Sequence, residues 1–311
     1  VNDRLKVFSG TSNPQLAGEI CAHLGVPLGD ATISTFSNDN LFVQIGDNVR
    51  ERDVFVVQPV QTPTSIVELL LLLDTLRSAS AARITAVIPY YSYARSDKKD
   101  MPRISIAARL LADVIVRAGA NRVLTMTLHS AQVQGFFSVP CDHLAATPIL
   151  CDHFAAKLEL SDFVALAADA GSAKRAGAYA QRLNLPLAFV DKRRVSDLDV
   201  EVRSVVGEVR GKHVIIFDDE IAAAGSLAET VKAIRRFDVG DIYAAATHGV
   251  LSGPAPERIR DMDVREVVVT NTLHVPPEKR DDKVTVLSVA SLFAEAIKRI
   301  HTGESVSALF G

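Results

Sequence analysis

The chain has no tryptophan and only five tyrosines among its 311 residues. Single-stranded nucleic acid is held by stacking its bases on aromatic side chains, and those platforms are missing here. Cysteine is scarce too: Cys21, Cys141 and Cys151 lie far apart without metal-ligand spacing, and the odd count fits a reducing compartment. Neither sign of charge dominates, with 34 basic against 37 acidic residues and a net charge of −3. That balance excludes a nucleic-acid coat and a membrane-surface binder. The longest apolar runs, such as Leu69 to Leu73, are far too short to span a bilayer, and no basic-plus-apolar leader opens the chain. These absences point to a cytoplasmic protein without nucleic-acid or membrane partners. Three signatures are also lacking. There is no G-x-x-x-x-G-K-[ST] loop, which argues against a P-loop NTPase. No G-x-G-x-x-G follows the first strand, and no Ser or Cys sits in a nucleophile elbow.

What is present is apolar and regularly spaced. Hydrophobic residues make up 48% of the chain and charged residues 23%, with mean hydropathy +0.18, which supports large buried cores in a soluble molecule. Strands are predicted at Leu5–Phe8, Ala31–Phe36, Phe42–Ile45, Val54–Gln58, Ile84–Ile88 and Val123–Leu128 in the first half. Phe163–Ala167, Leu187–Val190, Val214–Phe217, Ile242–Ala246 and Val267–Val269 follow in the second. Helices are predicted near Pro14–Leu24, Ser65–Ala79, Ile104–Ala118 and Leu227–Phe237. Strands alternating with helices imply an α/β class with mostly parallel sheets covered on both faces. The halves share this grammar, so two domains are expected, 1–145 and 146–311, with the last helix packing back on the first.

Ligands of such sheets gather at the carboxyl ends of the strands. The stretch Val214–Ser226 is the richest of these ends. A buried apolar strand runs into the acid pair Asp218-Asp219, then through small residues into a helix. The helix start can hold a phosphate, and the acids can accept sugar hydroxyls or bind a metal. The plain alternative is an ordinary βα turn whose acids favour the helix start. Arg95, Lys98, Lys99 and Arg103 form a basic loop after the strand ending at Ile88, suited to gripping a polyphosphate. His129 closes another strand, Asp169 precedes a small-residue turn, and Lys192, Arg193 and Arg194 follow a fourth. Acids and a histidine able to hold Mg²⁺, with cations to neutralise phosphate, are the equipment of phosphoryl-type transfer.

Collinear stretches along almost the whole chain resemble the ribose-phosphate diphosphokinases (phosphoribosyl pyrophosphate synthetases). They include Phe8-Ser9-Gly10-Thr11-Ser12, Phe36-Ser37-Asn38, Gln44-Ile45-Gly46-Asp47, Gln132-Val133-Gln134-Gly135-Phe136-Phe137 and Asp191-Lys192-Arg193-Arg194. The resemblance implies two phosphoribosyltransferase-type domains, assembly as a dimer-based hexamer, and transfer of the diphosphoryl group of Mg-ATP to ribose 5-phosphate. It assigns catalysis to Lys192 and Arg194, and ATP binding to Phe36, Asn38, Arg95, Asp97 and Lys98. His129 and Asp169 become Mg²⁺-associated positions. Ribose 5-phosphate falls to Asp218, Asp219, Ala222, Ala223, Ala224, Gly225 and Ser226, and a regulatory phosphate/ADP site to Arg50, Ser305 and Ser307. The chain departs from the family's D-D-x-x-D-T-x-G-T loop. Ala222 stands for an Asp, Ala223 for a Thr, and Ser226 for the final Thr. Asn40, Thr127 and Ser138 also replace common acids. These losses make a non-catalytic regulatory partner of such a synthetase the alternative. A transferase consuming the product is disfavoured, because such chains carry one domain of this type.

Overall fold

The computed structural model describes residues 4–194 and 200–309. Two compact units are formed, one by Val1–Ala145, Thr272–His274 and Ser288–Gly311, the other by Ala146–Asn271 and Val275–Leu287. The first contains β1 (Leu5–Ser9), α1 (Pro14–Leu24), β2 (Ala31–Thr35), β3 (Leu41–Ile45), β4 (Asp53–Val57), α2 (Pro63–Ser78), β5 (Arg83–Ile88), α3 (Ala107–Ala118), β6 (Arg122–Met126) and β7 (Cys141–Leu144). The second contains α4 (Thr147–Lys157), β8 (Phe163–Ala167), α5 (Ala173–Leu183), β9 (Leu187–Arg194), β10 (Val200–Val206), β11 (His213–Ile221), α6 (Gly225–Ile234), β12 (Ile242–Gly249), α7 (Ala255–Asp261), β13 (Glu266–Thr270) and β14 (Val284–Leu287). A last helix, α8 (Ala290–Thr302), belongs to the first unit. No helix among the described residues is long and apolar enough to cross a membrane.

The first unit's sheet runs β1-β4-β5-β6-β7, with every pairing parallel. Its inner strands are buried on both faces, as continuous β-branched runs require. Leu69, Leu72, Leu73 and Leu76 of α2 and Leu111 and Ile115 of α3 share one core with Val54, Val56, Ile84 and Ile88. Sequence chemistry sets the helix ends. Asn13 caps α1 by accepting the Leu16 amide at 3.2 Å, and Gly25 ends it at φ 68°. Thr62 and Ser65 form a reciprocal cap on α2.

β2 and β3 stand apart from that sheet as an antiparallel pair. The few residues between them are too short for a parallel crossover, and their alternating exposure suits a sheet with one solvated face.

The second sheet runs β10-β9-β8-β11-β12-β13-β14, antiparallel only between β10 and β9. On one face Leu227, Val231 and Ile234 of α6 and Ile259 of α7 meet Val164, Ile216, Ala244 and Val267. On the other, Phe217 stacks on Tyr179 of α5 at 4.2 Å and meets Phe154 of α4 edge-on at 6.2 Å. Each such aromatic contact contributes about 0.5–1.5 kcal/mol beyond the area it buries. These layers hold β11 at the centre of the sheet.

Candidate active site

β11 is longer than its apolar run predicts and continues through the acids to Ile221. Its pairing with β8 ends at Phe217↔Ala167, while pairing with β12 persists to Ile221↔Gly249. Asp218 and Asp219 therefore lie inside the strand, level with the point where β8 turns away. Asp219 is only 2% exposed. A buried carboxylate needs a partner, and Arg175 of α5 supplies it, forming an ion pair with Asp219 Oδ1 and lying 3.3 Å from Asp218 Oδ1. The Asp219 amide donates to Asp218 Oδ1 at 2.8 Å. Burial, then the hydrogen bond and charge of Asp219, push the Asp218 carboxyl from 3.8 up to about 7, against the pull of Arg175. A carboxyl so raised, level with the point where a neighbouring strand turns away, makes Asp218 a candidate functional group.

Arg175 was not singled out from the sequence, although a signal existed. The first turn of α5 carries Lys174 and Arg175 and no acid, which opposes the helix dipole. Asp169 lies in the turn before α5, where its Oδ1 accepts the Ser172 amide at 2.8 Å and Ser172 Oγ donates to its carbonyl at 3.0 Å. One of its oxygens is thus engaged in the turn.

The loop after β11 has every carbonyl from Ile221 to Ala224 tied. Ile221 accepts from the Leu251 amide at 3.1 Å, Ala222 from Ser252 at 3.0 Å and Ala224 from Ala228 at 3.0 Å. Ala223 accepts from the Arg258 guanidinium at 2.8 Å. Ala224 adopts the left-handed region at φ 57°, an unfavourable conformation for a residue with a Cβ, and precedes α6, which opens at Gly225 and Ser226. The first amides of a helix have no intrahelical acceptor and favour an anion. No side chain caps this one. The loop and the helix start thus present backbone groups with no side-chain cap.

Lys192 and Arg194 fall in β9, opposite Val202 and Val200 of β10. Their side chains lie outside the described part of the structure.

The first unit carries the other expected residues. Phe36 and Asn38 are at the tip of the β2–β3 pair, where Phe36 is 54% exposed and meets Phe42 edge-on at 5.7 Å. Asn38 Oδ1 accepts the Asn40 amide at 3.2 Å and shapes that tip. Arg95 ends a short 3-10 turn after β5, and Asp97 and Lys98 follow it. Exposed His129 follows β6. The turn holding it is braced by a residue the sequence did not suggest, His143 of β7, whose Nε2 accepts the Leu128 amide at 2.8 Å. Burial pulls the His143 imidazole down to about 4. Arg50 lies in the turn before β4, and exposed Ser305 and Ser307 follow α8.

Among the described residues, no group of three or more His, Cys, Asp or Glu is placed to hold a metal ion, at His129, Asp169 or elsewhere. Mg²⁺ keeps several waters and is commonly bound through one or two carboxylates plus substrate phosphates. Exposed Asp169 and partly exposed Asp218 provide oxygen donors that fit such an ion.

Comparison with known proteins adds a second line. Residues 5–119 match the family model described as the N-terminal domain of ribose phosphate pyrophosphokinase. Residues 199–311 match the phosphoribosyl synthetase-associated domain. A ribose-phosphate pyrophosphokinase from Deinococcus radiodurans is 57% identical, with 98% of each chain covered. One from Caldanaerobacter subterraneus is 50% identical over the same shares. The crystal structure of phosphoribosylpyrophosphate synthetase from Mycobacterium smegmatis superposes with a TM-score of 0.92 at 39% identity, covering 97% of this chain and 100% of that one.

Proposed function

The chain belongs to the ribose-phosphate pyrophosphokinase family, and on that premise we propose a division of labour among its residues. It is an α/β enzyme that transfers the diphosphoryl group of Mg-ATP to the 1-hydroxyl of ribose 5-phosphate, giving phosphoribosyl pyrophosphate and AMP. The observation that carries the site assignment is the cluster of Asp218, Asp219 and Arg175 beside the backbone cradle at Ala224–Ser226.

The 5-phosphate sits on the amides opening α6, where the helix dipole favours its charge. Asp218 and Asp219 accept hydrogen bonds from the ribose hydroxyls, fixing the sugar so that its 1-hydroxyl faces the donor. Arg175 pairs with buried Asp219 and holds its carboxyl group in place for that task. Phe36 and Asn38 take the adenine, and Arg95, Asp97 and Lys98 take the ATP phosphates. Lys192 and Arg194 neutralise charge on the transferring group, the main demand of a loose phosphoryl transition state. Asp169 and Asp218 of the second unit would hold Mg²⁺, and His129 of the first is a separate Mg²⁺-associated position carried over from the family likeness. When bound, Mg²⁺ supplies charge neutralisation across the phosphate oxygens. Arg50, Ser305 and Ser307 form a regulatory phosphate/ADP site. The same reading puts the enzyme in the cytoplasm as a dimer-based hexamer.

The test is AMP formation from ATP that requires both ribose 5-phosphate and Mg²⁺. Lys192→Ala should lower turnover by about 10²–10³-fold with an unchanged circular dichroism spectrum. Near-normal turnover refutes the role given to Lys192.

A further inference from the structure

We propose that Arg258 is the positioning residue of the sugar-phosphate loop, turning its amides toward the phosphate. The inference rests on the assignment of Ala222–Ser226 to the 5-phosphate of ribose 5-phosphate.

The geometry is simple. In a planar trans peptide the carbonyl of one residue and the amide of the next point in opposite directions, and no cis bond occurs among the described residues. The carbonyls of Ile221, Ala222 and Ala223 are all drawn to the segment 251–258, by Leu251, Ser252 and Arg258 respectively. The amides of Ala222, Ala223 and Ala224 therefore point away from that segment. A carbonyl turned the other way would set a negative dipole against the phosphate. Of these three bonds only the one from Arg258 is made by a side chain, and it holds the peptide entering left-handed Ala224, the conformation with most to gain from release.

Gly225 supports the same reading from the other side. A Cβ there would lie 3.3 Å from an Arg258 guanidinium nitrogen, so the glycine leaves the space the arginine uses. Gly225 is not in the left-handed region, so close approach, and not backbone freedom, is what a methyl group would disturb. The sequence signals none of this, because Arg258 lies on α7, more than thirty residues beyond the loop. Read alone, it is one of several cations on an exposed helix.

The test uses the full-length protein, with ribose 5-phosphate varied at saturating Mg-ATP and Mg-ATP varied at saturating ribose 5-phosphate. Losing a charged hydrogen bond that orders the cradle should raise the ribose 5-phosphate KM of Arg258→Met about tenfold. The Mg-ATP KM should stay within about twofold and kcat within about threefold of wild type. Arg258→Lys, which keeps a donor and the charge, should recover part of the loss, and Gly225→Ala should give an intermediate rise. A general folding defect would lower the active fraction, and so apparent kcat, with both KM values unchanged. An unaltered ribose 5-phosphate KM in Arg258→Met, or equal rises for both substrates, overturns the proposal. If that variant does not fold, an unaltered KM in Gly225→Ala overturns it instead. Should wild type make no AMP from these substrates, the functional reading is what fails. Calorimetric titration with ribose 5-phosphate alone then still decides for or against Arg258.

Discussion

His143 shows how a turn is held by a side chain from a neighbouring strand. Its Nε2 accepts the Leu128 amide, so the ring must be neutral there, and burial lowers its proton affinity from 6.5 to about 4. Between those values the unfolded chain binds the proton and the folded chain does not. Stability is therefore complete above about pH 6.5 and is lost as pH falls toward 4, by up to about 3 kcal/mol from this group. His143→Gln offers Oε1 as an acceptor without titrating. Its urea midpoint should fall less than that of wild type between pH 7 and pH 4.5, and parallel curves would show that His143 is not the source. Residue type was enough to single out His129, because a histidine at a predicted strand end is conspicuous. It was not enough for His143, Arg175 or Arg258. Each acts through a partner 15 to 43 positions away in sequence, and no local pattern encodes such a pairing.

At the scale of the element, the first strand, its loop and α2 are locked by one buried carboxylate. Glu68, 2% exposed and set within the apolar run of α2, accepts from Thr11 Oγ1 at 2.7 Å and from Gln58 Nε2 at 2.8 Å. Gly10 lies against both, and a Cβ there would be 2.2 Å from Gln58 Oε1 and 2.6 Å from Glu68 Oε1. Neither neighbour can yield without orphaning a buried polar group. Gly10→Ala should therefore cost about 3 kcal/mol in urea unfolding; a loss below about 1 kcal/mol would mean the clamp relaxes freely. The sequence showed the interior strands well, because a strand covered on both faces must be apolar throughout. It did not show β7, β10 and β14, and all three are sheet edges. An edge has one neighbour and less burial, so polar residues such as Asp142 and His143 interrupt the run that would reveal it. The β11 acids misled for the opposite reason: carboxylates ended the predicted strand at Phe217, yet pairing with β12 carries the backbone on to Ile221.

At the scale of the molecule, the chain closes its first unit with residues that come after the second. Phe293, Ala296 and Ile297 of α8 are fully buried and Ile300 is nearly so, and α8 packs on α1. The Ile300 carbonyl accepts from Arg83 at 2.8 Å, while His301 Nδ1 lies 2.7 Å from Asp53 Oδ2, which Arg83 also pairs with. Ser288 Oγ adds a bond to Glu19 at 2.6 Å. Burying Phe293, Ile297 and Ile300 stabilises the first unit by roughly 5–9 kcal/mol, comparable with the ~5–15 kcal/mol that keeps a whole domain folded. A chain ending at Leu287 should therefore keep the second sheet and lose the first. Hydrogen exchange would read this directly: amides of β8, β11 and β12 should stay protected, while those of β1, α1 and β4 exchange at least a hundredfold faster, on the order of the 3 kcal/mol that such a factor represents. Uniform loss of protection would mean that the second unit does not fold without the closing helix. Full retention would mean that β1, α1 and α2 are stable without α8, and that the buried face of α8 contributes far less than its area implies.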